Sequence, residues 1–108
     1  MSKASIPEDI KQQAIAIVEK FNRTTMHAPR DYYAVRFRGR FAYLDRCQGG
    51  QVGPRCRLEY GGGIAKWDFA IYKYSRNDYD PHEFMFPGSE HTDGTVEGAL
   101  KAVQKAYP

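Results

Sequence analysis

From Tyr32 to Tyr74 apolar residues tend to recur at every second position, and glycine-bearing segments interrupt the run three times. A repeat of two is the side-chain period of an extended strand, so this tract predicts an antiparallel meander. The interruptions at Gly39-Arg40, "CQGGQVGP" and "GGGI" divide it into four strands. These run from about Tyr32 to Arg38, Phe41 to Arg46, Arg55 to Tyr60 and Ala65 to Tyr74.

The flanks follow a helical period instead. Ser5 and Glu8 have capping-box spacing with Pro7 in the first turn, and Ile10, Ala14, Ile17, Val18 and Phe21 then make one apolar stripe ending near Asn22. Near the other end Thr95 is placed to cap a helix with Glu97 in its first turn. Its stripe is Val96, Ala99, Leu100, Val103 and Tyr107. A chain of 108 residues suffices for one α+β domain, 1–108, in which an N-terminal and a C-terminal helix pack on one face of a four-stranded antiparallel meander, in the order α-β-β-β-β-α.

Opposite charges facing each other across strands favour a register, which pairs Glu59 with Lys66, Arg57 with Asp68 and with Asp45, and Leu44 with Leu58. The two-residue turn at Gly39 pairs Arg38 with Phe41, Arg36 with Tyr43 and Val35 with Leu44. Val35, Phe37, Leu44, Cys56, Leu58, Trp67, Phe69 and Ile71 then lie under the helices. The opposite face carries Arg36, Arg38, Phe41, Tyr43, Asp45, Arg57, Glu59, Lys66, Asp68 and Tyr72. Cys47 and Cys56 fall on opposite faces, which argues against a disulfide.

With 42% hydrophobic and 14% aromatic residues the chain is expected to fold, and no apolar run is long enough to span a bilayer. The start "MSKASIPEDIKQQ" has no signal-peptide hydrophobic region, and two cysteines do not make a disulfide framework, so a cytoplasmic protein with no membrane partner is expected. The net charge of +3 is too small to imply a polyanionic partner by itself. Its distribution is more telling: seven arginines and no lysine lie between Arg30 and Arg57, whereas Asn77 to Leu100 holds six acids and no lysine or arginine.

The candidate binding surface is therefore the Arg/aromatic sheet face, with Arg36, Arg38, Arg40, Phe41 and Tyr43 at its centre and Tyr72 adjacent. Rings that stack and guanidiniums that bind phosphates or carboxylates suit a small non-enzymatic binding module, whose partner is a protein or a single-stranded nucleic acid. The RNP signature of RNA-binding sheets is absent. A plainer account has the charges laddering across strands. Asp45, Arg57 and Asp68 satisfy one another in the expected register, leaving Arg36, Arg38 and Arg40 without an assigned acid.

One alternative is a metal-dependent protein or enzyme using the acidic and histidine loop 78–91. There Asp78, Asp80, His82 and Glu83 in "NDYDPHE", with His91 beyond, supply oxygen and nitrogen donors. Against it, the later acids and glycine of a calcium loop are missing, and a zinc site of His82, His91, Cys47 and Cys56 would need cysteines that face each other. No nucleophile elbow or phosphate loop occurs, and no cofactor is expected. Another alternative is a homodimer through the outer sheet face or the edge of the first strand. Phe84, Met85 or Phe86, if exposed, would mark a partner surface.

The segments "RFRGRFAYLDR", "WDFAIYKYS" and "FPGSEHTDGTVEGAL" together resemble a small prokaryotic family of uncharacterised proteins, over most of the chain from about Tyr33 onward. The resemblance agrees with the α+β fold. It implies no activity and no catalytic or binding residue.

Overall fold

The first helix, α1 (Glu8–Thr24), buries Ile10, Ala14, Val18 and Phe21 and places Glu8 and Asp9 in its first turn, where carboxylates complement the helix dipole. This computed structural model describes residues 5–26 and 29–108. The expected capping box does not form: Pro7 is the N-cap, and among the described residues no side chain caps the first turn. The helix also runs beyond Asn22, whose side chain is used elsewhere.

The strands are β1 (Asp31–Arg38), β2 (Phe41–Gln48), β3 (Gln51–Tyr60), β4 (Trp67–Lys73) and β5 (Asp78–Asp80), in one antiparallel sheet of order β1-β2-β3-β4-β5. After a short 3₁₀ turn at Ser89–His91 comes α2 (Val96–Ala106), whose Thr95 hydroxyl accepts the Gly98 N–H at 2.9 Å as expected. Both helices pack on one sheet face. Buried Ile10, Val18, Phe21, Tyr33, Leu44, Leu58, Trp67, Leu100 and Val103 belong to one core cluster.

The α+β class with helices first and last holds, but the sheet has five strands rather than four. The fifth lies inside the expected loop 78–91, and its three residues are too few to display a period. Asn77, at φ 54, reverses the chain so that Asp78 to Asp80 pair back onto Lys73 to Ile71.

Register between β1 and β2 is as expected, with Arg38 opposite Phe41, Arg36 opposite Tyr43 and Val35 opposite Leu44. Between β2 and β3 it differs. The "CQGGQVGP" segment is no long loop, because Gly49 (φ 57) and Gly50 (φ 90) make a two-residue turn and the strands continue to Gln48 and from Gln51. Leu44 consequently faces Cys56 rather than Leu58. The register then shifts, Asp45 faces Pro54, and Arg55 is left as the extra residue of a bulge. A proline in a central strand is tolerated at such a bulge.

Between β3 and β4 the shift is two residues: Tyr60 faces Trp67, Leu58 faces Phe69, and Glu59 faces Asp68. Lys66, expected on the outer face of the strand, lies in the connection and donates its backbone N–H to Gly63. Energies explain why charge misjudged the register. A cross-strand charge pair contributes about 0.2–1 kcal/mol, whereas burying a leucine contributes about 1.5–3 kcal/mol. A two-residue shift keeps every apolar side chain on its face and lets the Tyr60 and Trp67 rings meet at 5.3 Å, at the small cost of opposing two carboxylates.

β1 is an edge strand, and α1 covers part of that edge through one side chain. The Asn22 amide donates to the Tyr33 carbonyl at 2.8 Å and accepts the Tyr33 N–H at 2.9 Å, as a neighbouring strand would. Asn22→Ala is expected to lower stability by about 1–3 kcal/mol, read by urea unfolding. Asn22→Asp, which keeps the acceptor and loses the donor, should fall between variant and parent.

Candidate binding face

Strand phase places Arg36, Arg38, Phe41 and Tyr43 on the face away from the helices, while Leu44 and Leu58 are fully enclosed on the other. On that outer face Phe41 and Tyr43 are half-buried, and Arg36 and Arg38 are exposed. The rings form a continuous series. Phe41 and Tyr43 lie 6.3 Å apart, and Tyr79 reaches from β5 to within 5.5 Å of Tyr43. It can do so because the intervening outward residue of β4 is Ala70, which is buried despite facing away from the helices.

Guanidiniums lie against these rings. Arg36 sits 4.4 Å from the Tyr43 centroid, and Arg57 sits 4.8 Å from Phe41 and 5.6 Å from Tyr79. Arg36 Nε also donates to Asp45 Oδ2 at 2.8 Å, the reverse of the expected Asp45–Arg57 pairing. The two-residue difference in register puts Arg57 opposite Tyr43, and the bulge then puts Pro54 rather than Arg55 opposite Asp45. Arg40 approaches Glu59 at 2.7 Å and donates from Nη2 to the Tyr60 carbonyl at 2.8 Å. Arg38 and Arg57 have no carboxylate within ion-pairing distance among the described residues.

The six expected residues thus divide. Arg36, Arg38, Phe41 and Tyr43 share the outer face, with Arg40 in the adjoining turn, but Tyr72 is buried. Its hydroxyl bonds Asn77 Oδ1, and its ring lies between Tyr74 (4.9 Å) and Tyr79 (5.1 Å), so it is on the outer face but covered by its neighbours. Tyr79 and Arg57 take the central place instead. Tyr79 was hidden from periodicity by the brevity of β5, although the alternation Asp78-Tyr79-Asp80 carries a weak strand signal.

The metal-loop residues do not converge. Among the described residues no three His, Cys, Asp or Glu side chains are grouped to hold an ion. Asp80 accepts from Arg76 Nη1 at 2.8 Å and from the His82 N–H at 2.9 Å, and Glu83 accepts from Lys73 Nζ at 2.7 Å. Asp78 accepts the Tyr79 N–H, and His91 lies 3.7 Å from Glu90, itself bonded to Lys105. Cys47 and Cys56 are both free and point to opposite faces, and burial pushes the Cys56 thiol well above the ordinary range. An un-ionised buried thiol is a poor nucleophile and metal ligand.

Burial raises the Tyr79 phenol from its ordinary value of 10.0 to about 12, with nearby Arg36 opposing the rise. The folded chain then holds this proton more tightly than the unfolded chain. The associated stability is whole below pH 10 and is lost as pH climbs from there through about 12. Tyr79→Phe is expected to remove the latest-ionising phenol from an ultraviolet alkaline titration and to flatten the alkaline fall in melting temperature.

Comparisons of the chain with protein-family models, with curated proteins and with solved structures found no match in any of the three.

Proposed function

We propose that this chain is a non-enzymatic binding module whose outer sheet face takes an acidic segment of a protein partner. The observation that carries the reading is Arg57, whose guanidinium rests on Phe41 and Tyr79 with no carboxylate partner among the described residues. Arg38 stands on the same face, across the β1–β2 pair from Phe41. Two cations therefore flank one half-buried ring, ready for carboxylates that bring apolar or aromatic neighbours.

A single-stranded nucleic acid is less well served. To stack a base on Tyr43, the strand must first lift Arg36, which is held by both Asp45 and the ring. Exposed apolar groups favour a protein as well: Phe84 is 65% exposed and Met85 91% exposed, and Phe84 lines a cleft with Glu59 and Asp68 at the margin of the same face.

Titration with a fluorescent peptide of alternating glutamate and phenylalanine, beside an oligothymidylate, tests this. Peptide binding that weakens with salt and is lost in Arg38→Ala and Arg57→Ala is the expected result, with sedimentation recording whether the chain itself dimerises. Binding of the oligonucleotide alone would replace the protein reading by the nucleic-acid one. Absence of binding to both at low salt would end it.

A further inference from the structure

A second arginine cluster lies at the other end of β3, apart from the face just described. Arg46 and Arg55 are both buried, at 6% and 9% exposure. A guanidinium removed from water is tolerated when its charge and its N–H groups are matched. Arg46 meets this condition. It grips Asp31 through Nε and Nη2, both at 2.9 Å, and donates from Nη1 to the Tyr107 carbonyl at 2.7 Å.

Arg55 does not. Its Nη1 reaches the Pro54 carbonyl at 3.1 Å and the Tyr74 hydroxyl at 2.5 Å, and among the described residues its Nη2 has only a long 3.4 Å contact with Gln48 Oε1 and its Nε has no acceptor. Among the described residues no carboxylate pairs with it, so two guanidiniums share the single charge of Asp31. The Tyr107 ring, 5.5 Å from the Arg55 Cζ, backs the group on one side.

A cleft of about 370 Å³ opens onto this pair, and its other polar walls are Gln48, Gln51, Gly53 and Tyr74, with no acid among its lining residues. Gly53 leaves room for the Arg55 guanidinium where it lies. A Cβ there would come within 2.9 Å of Arg55 Nη1 and 3.2 Å of the Tyr74 hydroxyl. The under-used edge of Arg55, Nε with Nη2, is the fork that binds two oxygens of a carboxylate or phosphate at once.

We propose that this cleft is an oxyanion site, in which Arg55, backed by Arg46, takes the carboxylate or phosphate group of a small ligand. The incoming oxygens take the Nε and Nη2 hydrogens, and the exposed Gln48 amide gives up its long contact and swings aside. Neither Arg38 nor Arg57 takes part, so this site and the outer-face reading stand or fall separately.

The test uses the isotope-labelled full chain, titrated with inorganic phosphate and separately with acetate, against chloride at matched ionic strength. Saturable shifts of the Arg55 Nε–H and the Gln51 and Gly53 amides are expected with one or both oxyanions and not with chloride, together with a rise in melting temperature. The stronger of the two identifies the ligand group. Arg55→Gln should abolish both effects, and Arg55→Lys, which keeps the charge and loses the fork, should weaken them. If Arg55→Gln does not fold, Gly53→Ala serves in its place, because it displaces the guanidinium and should lower the affinity. Shifts that never saturate, that chloride reproduces, or that survive in the folded variants overturn the proposal.

Discussion

One extra residue in β3 governs how charge is distributed in this protein. Up to Leu44 the β2–β3 ladder runs in one register; beyond it Asp45 faces Pro54, and Arg55 has no residue opposite. Without that insertion Asp45 would meet an arginine directly across the ladder, as simple charge pairing demands. With it, Asp45 turns to Arg36 on the neighbouring strand and Arg55 is carried inward beside Arg46, while Arg57, opposite Tyr43 on the unshifted side of the bulge, lies on aromatic rings. Bulges characteristically re-aim side chains in this way, and the proline in the middle of β3 is the residue that the bulge accommodates.

The arginines consequently serve different ends. Arg46 and Arg40 tie elements together, Arg46 joining Asp31 of β1 to the end of α2, and Arg40 joining the first hairpin to Glu59 and the Tyr60 carbonyl. Arg36 is half committed, bonded to Asp45 while more than half exposed. Arg38, Arg55 and Arg57 lack acidic partners among the described residues, and on these the functional readings rest. A run of rings at 4.9–6.3 Å, from Phe41 through Tyr43, Tyr79, Tyr72 and Tyr74 to Tyr107, joins the outer face to the inner cluster. The two surfaces thus share a scaffold, though not their cations.

The alternating pattern makes the two faces of the sheet legible in the sequence, and the stripes of both helices are legible likewise. Arg36, Arg38, Phe41 and Tyr43 fall where that pattern puts them. Tyr72 falls on the same outer face but is buried, because exposure depends on what lies over a side chain, and Tyr79 arrives from a strand of three residues, too short to show a period. Arg55 was hidden for a related reason: one inserted residue moves a side chain from one side of the sheet to the other.

By itself, then, the sequence determined which residues face the helices, since each large apolar side chain enclosed contributes about 1.5–3 kcal/mol and those of the strands agree on one phase. Only the tertiary structure decided which charge meets which. That choice rests on turn lengths, a bulge and single pairs of about 0.2–1 kcal/mol each, terms small enough for packing to overrule. Glu59 opposite Asp68 is the plainest case, where two like charges face each other because Tyr60, Trp67, Leu58 and Phe69 are better placed that way.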